Sequence, residues 1–253
     1  MNNTLILQKL QDTEQQKNIT ILHAVESGSR AWGFASPDSD FDIRFIYKYP
    51  ADHYLQLWDK PDVIEFMTRE DLDGSGWDLA KTLKLLAKSN GSLIEWLFST
   101  EVYMQNDAFL KQMQFFAKEC FSPIATVHHY LSTSQNFMEV CQAETVKLKS
   151  YFYALRATLA AKWIVEYDTI PPVPFAELMP LAPADVQDKI ATLLDVKAQE
   201  NEKYMHPKDE QITDYLIKLI QYNKEHAHRL RSGKNIHREL EEFFVEEVKK
   251  NSL

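Results

Sequence analysis

The sequence predicts an α+β protein in which a β-rich N-terminal part precedes a helical C-terminal part. Two observations carry this expectation. Short segments rich in β-branched residues occur before Trp77, and apolar residues at helical spacing dominate after it. No internal repeat or low-complexity tract interrupts either part. We therefore expect a first domain of residues 1–105 and a second, helical domain of residues 106–253.

The first elements alternate between helix and strand. Residues 5–18 have the pattern of a short helix, and ITILHAVE (19–26) is apolar and β-branched enough for a buried strand. A Ser-Gly-Ser turn and a short helical segment follow. In FDIRFIYKY (41–49) apolar residues alternate with Asp42 and Arg44, so the polar and apolar side chains should face opposite sides of a strand.

Two more strand candidates precede the helical part. DVIEFM (62–67) is apolar and β-branched, and EDLDGSGW (70–77) suggests a short irregular edge strand that ends at its glycines. A helix should then run from Trp77 to the Ser-Asn-Gly stop at 89–91. The further expected helices span about 92–98, 107–120, 124–141, 143–166, 183–197, 211–230 and 236–250.

Composition favours a soluble, cytoplasmic protein. The 253 residues are 45% hydrophobic, enough for a core without disulfides or a structural metal. Cys120 and Cys141 form no C-x-x-C pair, which suits reduced thiols. We expect no signal peptide, because MNNTLILQKL has no basic region followed by a long apolar core. We expect no membrane span, because no run of about 18 apolar residues exists. The net charge of −9 disfavours nucleic-acid binding through the overall field, although a local basic patch could still provide it.

The stretch VESGSRAWGFASPDSDFDIRFIY (25–47) carries the strongest chemical signal. Asp40 and Asp42 are two residues apart on a strand, so both carboxylates project to one face, with Cα atoms roughly 6.5–7 Å apart. Such an oxygen-rich pair suits Mg²⁺, which takes its other ligands from water and substrate phosphates. Two ions about 3.5–4 Å apart can clamp the oxygens of a phosphoryl transfer, and the site usually needs a third carboxylate.

Gly28 and Ser29 lie upstream, where a strand meets a short helix. Because Gly28 has no side chain, a phosphate can approach the backbone N–H groups, and Ser29 and Arg30 would add a hydroxyl donor and a charge. A phosphate cradle and a metal-binding strand are the two halves of a nucleoside triphosphate site. Asp38, the remaining aspartate of the stretch, is expected to form part of the turn before the strand.

The sequence SGS, followed after ten residues by Asp40-Phe41-Asp42, resembles the hG[GS]-x(9–13)-DhD signature of the DNA polymerase β-like nucleotidyltransferase superfamily. Three later blocks are similar to a bacterial family of predicted nucleotidyltransferases, some of them described as RNA-ligase-associated. These blocks are GWDLAKTLKLLAKSNGSLIEWL (76–97), KSYFYALRATLAAKWI (149–164) and PPVPF (171–175). The similarity covers most of residues 20–176.

The resemblance implies a small mixed β-sheet, two Mg²⁺ ions, and transfer of NMP from an NTP to a hydroxyl group with release of pyrophosphate. Carried over by residue, Gly28 and Ser29 match the phosphate-contacting pair, and Asp40 and Asp42 match the metal ligands. The expected acceptor is an RNA 3′ end, with a protein hydroxyl (AMPylation) as the next choice. The sequence leaves the identity of the NTP open.

The superfamily has a third carboxylate on a later strand. Counting back from the helix that starts at WDLAK assigns this position to Asp73, which is then expected to ligate metal and to complete the catalytic group. Glu65, on the neighbouring strand candidate, is the second choice. Asp78 is expected instead at the N-terminus of a helix, where the helix dipole favours a negative charge.

Four basic residues are further candidates for the site. Arg44 shares the aspartate face, where it either contacts a phosphate or, as we favour, offsets the carboxylates. Lys149 and Arg156 are seven residues apart on one helix and share a face. They form a cationic wall over the triphosphate or a groove for an RNA end, unless they are snorkelling residues of an amphipathic helix. Lys81 is a phosphate candidate of similar strength.

Other interpretations of the aspartates fit less well. A Ca²⁺ loop needs Gly at its sixth position and Glu at its twelfth, where this chain has Ile43 and Tyr49. Sugar-nucleotide glycosyltransferases place a D-x-D pair after a longer nucleotide-binding domain than the forty residues available here. The remaining alternative is that the aspartates form an ordinary acidic turn before a strand and have no role in binding or catalysis. The rival function is a non-catalytic nucleotide-binding or antitoxin-like module with the same fold.

Overall fold

The computed structural model describes residues 2–58, 60–69 and 71–250. Its strands are β1 (Thr20–Glu26), β2 (Phe41–Lys48), β3 (Val63–Met67), β4 (Leu72–Asp78), β5 (Val102–Gln105), β6 (Thr145–Lys147) and β7 (Met205–Pro207). Its helices are α1 (Asn2–Lys17), α2 (Gly28–Trp32), α3 (Ala51–Tyr54), α4 (Leu79–Leu86), α5 (Gly91–Phe98), α6 (Asp107–Cys120), α7 (Pro123–Val140), α8 (Leu148–Tyr167), α9 (Phe175–Leu178), α10 (Ala184–Gln199), α11 (Glu210–Ala227) and α12 (His237–Lys249). Among these described helices, none is both long and apolar enough to cross a membrane.

The chain forms two units, each assembled from separate segments. The first unit comprises Met1–Gly28, Asp40–Cys120 and Lys234–Leu253, and the second comprises Ser29–Ser39 and Phe121–Gly233. The boundary expected near residue 105 lies at the end of β5, inside the first unit. Within the second unit, the segment between Gly28 and Asp40 contacts α8 and α9 through the rings of Trp32 and Phe34, and α10 through Ser36.

A five-stranded mixed sheet organises the first unit, so the expected α+β class with a mixed sheet is confirmed. The strand order is β3-β4-β2-β1-β5. The strands β2 and β4 are parallel, whereas the other neighbouring pairs are antiparallel. The expected alternation of β2 is also confirmed. Ile43, Phe45 and Tyr47 are fully buried in a cluster with Ile6 and Leu10 of α1.

The expectation of an irregular edge strand ending at its glycines is wrong for β4. This strand lies between β3 and β2 and continues through Gly74 and Gly76. A Cβ atom at Gly74 would lie 2.1 Å from the Phe66 ring, and one at Gly76 would lie 2.0 Å from the Phe45 ring. The two rings stack with centroids 6.2 Å apart. Aromatic rings from the neighbouring strands therefore occupy the space that side chains of β4 would fill.

Three short strands, β5, β6 and β7, have no clear signal in the sequence. The strand β5 pairs with β1 at one edge of the five-stranded sheet, and β6 pairs with β7 as a small antiparallel ladder in the second unit. The helix expected from residue 143 consequently begins at Leu148, directly after β6. Strands of three or four residues are too short to show an alternating pattern.

Candidate active site

The parallel pairing of β2 and β4 places Asp42 beside Asp73. The two residues are register partners on neighbouring strands, which lie about 4.8 Å apart in a sheet. Both carboxylates contact one nitrogen of Arg44, because Nη2 lies 3.1 Å from Asp42 Oδ1 and 3.0 Å from Asp73 Oδ2. Sheet register thus brings together one carboxylate of the Asp-Phe-Asp motif and the residue predicted as the third carboxylate.

Arg44 is fixed by main-chain contacts as well. Its Nη1 donates hydrogen bonds to the main-chain oxygens of Ile43 and Asp73, both at 3.0 Å. Hydrogen bonds from a guanidinium to carboxylates are among the stronger polar contacts in proteins. Arg44 therefore offsets the charge of Asp42 and Asp73, which agrees with the preferred interpretation of its position on the aspartate face.

The two alternatives for the third carboxylate lie elsewhere. Glu65 is exposed on β3, and β4 separates it from β2. Asp78 caps α4, because its side chain accepts hydrogen bonds from Ala80 N at 2.8 Å and from the Tyr54 hydroxyl at 2.7 Å. Burial raises the pKa of Asp78 above its ordinary value. The geometry thus favours Asp73, and its role in the site stays a prediction.

Gly28 lies directly against the carboxylate of Asp42. Its φ of +60° is in the left-handed region, and a Cβ atom there would lie 2.1 Å from Asp42 Oδ2. The adjacent Ser27 N–H donates to the main-chain oxygen of Asp42 at 2.8 Å. Both the backbone conformation and the available space therefore require glycine at position 28.

Glu26 supports Asp42 from the end of β1 and is not among the site residues predicted from the sequence. Its carboxylate accepts a hydrogen bond from Asp42 N at 2.8 Å and another from the hydroxyl of Tyr103. The Glu26 side chain is buried. A charged residue at the end of the apolar strand ITILHAVE was the available signal, since a buried carboxylate requires hydrogen-bond partners.

The other two aspartates of the motif occupy different positions. Asp40 is exposed and lies directly before the first residue of β2, two positions before Asp42 in the chain. Asp38 lies in a turn, as expected, and its Oδ1 accepts the backbone N–H of Glu202 at 2.9 Å. Asp38 thus has a structural partner, and the predicted metal contact of Asp40 stays a prediction.

Ser29 and Arg30 begin the segment that belongs to the second unit. The Ser29 hydroxyl is buried and makes a long hydrogen bond of 3.4 Å to the Ser39 hydroxyl. Arg30 Nη2 donates to the main-chain oxygen of Ser39 at 2.6 Å. Both predicted phosphate contacts are therefore organised around Ser39, and their role in binding stays a prediction.

Two of the predicted lysines form ion pairs. Lys81 lies on α4, where its Nζ is 3.0 Å from Asp62 Oδ1. Lys149 lies in the first turn of α8, where its Nζ is 2.8 Å from Glu202 Oε2. Both side chains are partly exposed, so a phosphate could replace or join the carboxylate partner. The two residues stay candidates for triphosphate binding.

Arg156 is buried within the second unit, where only 2% of it is exposed. Its Nε and Nη2 lie 3.4 and 3.3 Å from the main-chain oxygen of Val173. Its Cζ lies 4.3 Å from the centre of the Trp32 ring, a cation–π contact. These contacts assign Arg156 a packing role, and a contact with substrate would require it to become accessible.

Comparison with known proteins identifies a family. The RlaP family, described as the RNA repair pathway DNA polymerase beta family, matches residues 2–246. YcgL, an uncharacterized protein of Bacillus subtilis (strain 168), is 39% identical over 232 residues, which cover 90% of this chain and 89% of YcgL.

Two solved structures are similar at low sequence identity. Spectinomycin adenyltransferase AAD(9) from Enterococcus faecialis, solved with ATP and spectinomycin, aligns with a TM-score of 0.46 and 13% identity over 86% of this chain and 98% of its own. A nucleotidyltransferase-like protein from Exiguobacterium sibiricum 255-15 aligns with a TM-score of 0.31 and 12% identity over 88% of this chain and 75% of its own. The family match confirms what the motifs imply: the chain belongs to the RNA repair pathway DNA polymerase beta family and is a nucleotidyltransferase.

Proposed function

We propose that the chain transfers NMP from an NTP to a hydroxyl group and that two Mg²⁺ ions bind at Asp40, Asp42 and Asp73. The observation that carries the proposal is the convergence of Asp42 and Asp73 on one nitrogen of Arg44. In the proposed reaction the acceptor oxygen forms a bond to the α-phosphorus. The bond from that phosphorus to the bridging oxygen breaks, pyrophosphate leaves, and the hydroxyl proton is released.

The carboxylates suit a divalent cation by charge and by access. Two carboxylates this close require a positive group among them, and Arg44 supplies it in the structure. The Asp42 and Asp73 side chains are 27% and 35% exposed, so solvent ions can reach them. Among residues 2–58, 60–69 and 71–250, no cluster of three or more His, Cys, Asp or Glu side chains forms a ready metal site. Metal binding would therefore require Arg44 to release at least one carboxylate.

Each residue has a distinct role in this proposal. Bound Mg²⁺ would neutralise the triphosphate and the charge that develops on the reacting oxygens. Gly28 leaves room for the Asp42 carboxylate and for a phosphate close to the backbone, and Ser29 donates a hydrogen bond to that phosphate. Asp73 orients the acceptor hydroxyl. Arg44, once released from the carboxylates, is free to pair with a phosphate oxygen.

We propose an RNA 3′ end as the acceptor, and a protein hydroxyl as the second choice. The description of the family as part of an RNA repair pathway supports the first choice. A cytoplasmic location fits this acceptor and also fits the buried free thiols of Cys120 and Cys141. The position of Arg44 between the carboxylates favours one rival function, a nucleotide-binding module that does not turn over.

The proposal is tested with purified protein, Mg²⁺ and each of the four NTPs labelled at the α-phosphate. Each reaction is run without acceptor, with an RNA bearing a free 3′ hydroxyl, and with the same RNA blocked at that hydroxyl. We expect label on the free RNA alone, and we expect Asp42→Asn to abolish it. Label on the protein itself would favour AMPylation. Binding of NTP without release of pyrophosphate would contradict the proposed reaction and favour the non-catalytic module.

A further inference from the structure

We propose that Glu202 is a positioning residue that holds the Ser29–Ser39 segment in place for nucleotide binding. The proposal rests on the nucleotidyltransferase function proposed above, because Ser29 is the residue that would contact a phosphate. Glu202 follows α10 and lies more than 160 residues beyond this segment in the sequence. No motif of the family resemblance includes it.

Glu202 contacts two consecutive residues of the segment. Its backbone N–H donates to Asp38 Oδ1 at 2.9 Å, and its Oε1 accepts a hydrogen bond from the Ser39 hydroxyl at 2.7 Å. Glu202 thereby fixes the side chain of Asp38 and the orientation of the Ser39 hydroxyl, both at the end of the segment. The turn before β2 is held by tertiary contacts in addition to its local hydrogen bonds.

Ser39 connects this contact to Ser29. The Ser39 hydroxyl accepts hydrogen bonds from Ser36 N at 3.0 Å and from the Ser29 hydroxyl at 3.4 Å. The Ser39 main-chain oxygen accepts the hydrogen bond from Arg30. The two ends of the segment are thus joined at Ser39, whose hydroxyl proton is directed to Glu202. Loss of the Glu202 carboxylate would leave this buried hydroxyl without its acceptor.

The charge of Glu202 is secured by a neighbouring lysine. Lys149 Nζ lies 2.8 Å from Glu202 Oε2, so the carboxylate joins Lys149 to Ser39. Burial alone would raise the pKa of Glu202, but the hydrogen bonds from Lys149 and Ser39 hold this pKa below its ordinary value. Hydrogen bonds to an ionised acceptor are stronger than those between neutral groups.

A second lysine contacts the middle of the segment. Lys197 on α10 is buried, and its Nζ donates to the Ser36 hydroxyl at 2.8 Å. Lys197 and Glu202 therefore hold positions 36, 38 and 39 from one side of the segment. Ordering a loop on binding costs conformational entropy, so a segment that is already ordered should bind a triphosphate more tightly.

The test compares Glu202→Ala with Glu202→Gln and with the matched control Glu210→Ala. The glutamine amide oxygen can still accept from Ser39. Glu210 also pairs with a lysine in the second unit, at 3.0 Å, and is largely exposed. Amide hydrogen exchange of residues 29–39 is measured in each variant, with α8 and α11 as internal references. The dissociation constant of a non-hydrolysable NTP, KM and kcat are measured in parallel.

We expect Glu202→Ala to speed exchange in residues 29–39 selectively and to raise the NTP dissociation constant and KM about tenfold, with a smaller change in kcat. Glu202→Gln should show a smaller effect, and Glu210→Ala should match the wild type. Unchanged exchange of residues 29–39 in Glu202→Ala would overturn the proposal. So would exchange that rises equally in α8 and α11, since it would indicate a general loss of stability.

Two features keep the test decisive. If Glu202→Ala does not fold, Ser39→Ala removes the hydroxyl that donates to Glu202 and accepts from Ser36 N and Ser29, and it should loosen the same residues. If wild-type protein binds no NTP, the proposed function fails, but the exchange comparison still decides whether Glu202 holds the segment. Faster exchange with unchanged NTP affinity, in a protein that does bind NTP, would refute the role in nucleotide binding.

Discussion

The carboxylate pair of the first unit and the Ser29–Ser39 segment of the second unit are held in different ways. Asp42 and Asp73 lie opposite each other on parallel strands, so ladder hydrogen bonds and register set their separation. Ser29 lies in the short helix α2, a turn follows at Gly33, and the segment depends on contacts with Glu202 and Lys197. The first arrangement follows from the sheet itself, whereas the second depends on a few side chains.

Because of this difference, substitutions in the two regions should have different effects. A substitution at the carboxylates should remove chemistry and leave the fold intact, because the strands persist without those side chains. A substitution that loosens the segment should weaken nucleotide binding and leave the carboxylates in place. The predictions below test this separation, starting with the largest expected effect.

Asp73→Asn should reduce NMP transfer about 1,000-fold, since a lost metal ligand removes several kcal/mol of charge stabilisation in the transition state. Glu65→Gln, the matched change on β3, should leave the rate near that of the wild type because β4 separates Glu65 from β2. The initial rate of pyrophosphate release measures both. The assignment of the third carboxylate is reversed if Glu65→Gln is the inactive variant.

Gly28→Ala should reduce activity about 100-fold, because a methyl group 2.1 Å from Asp42 Oδ2 forces that carboxylate to move. Gly33→Ala is the control. Gly33 also has a left-handed φ, +85°, but a Cβ atom there meets nothing within 4 Å. Both variants should lose about 1–2 kcal/mol of stability from backbone strain, measured by urea unfolding, but only Gly28→Ala should lose activity. Equal activity losses would mean that backbone strain, and not contact with Asp42, explains the glycine.

Arg44→Met should raise the affinity for Mn²⁺ about tenfold in the absence of nucleotide, because the guanidinium competes for the same two carboxylates. Titration monitored by electron paramagnetic resonance measures this binding directly. Arg30→Met serves as the control for loss of a positive charge, since Arg30 donates to a main-chain oxygen of the second unit. Weaker Mn²⁺ binding in Arg44→Met would show that Arg44 shapes the metal site and does not compete for it.

Lys197→Met should have the smallest effect, a few-fold faster amide exchange around Ser36, with NTP affinity changed less than by Glu202→Ala. Burial lowers the pKa of Lys197, with Glu202 partly offsetting this shift. Replacing a buried ammonium therefore removes a desolvation cost along with the hydrogen bond to Ser36. Amide hydrogen exchange around Ser36, measured by mass spectrometry, tests this prediction. An effect larger than that of Glu202→Ala would make Lys197 the main support of the segment.

The sequence is informative where a pattern is local. Alternation along 41–49 separates Asp42 and Arg44 from the buried face of β2, and the distance from the helix that follows predicts Asp73 as the third carboxylate. In β4 the local pattern misleads, because the rings of Phe45 and Phe66 cover its glycines and come from other strands. The sequence around these glycines contains no sign of those rings.

Other features depend on contacts that are distant in sequence. Glu26 acquires its role from Asp42 and from Tyr103 on β5, a strand too short to show a pattern. Glu202 acquires its role from Asp38 and Ser39, which no spacing rule connects to it. The motif therefore predicts residues that would touch substrate, whereas the residues that contact and support them become visible only in the folded structure.

The most direct measurement is a crystal structure with Mn²⁺ and a non-hydrolysable NTP, using anomalous scattering to locate the metal. We predict two Mn²⁺ positions, with metal bound to Asp42 and Asp73, Arg44 displaced from at least one carboxylate, and a phosphate at Gly28 and Ser29. A bound nucleotide with Arg44 still between Asp42 and Asp73, and no metal on either, would contradict the proposed site.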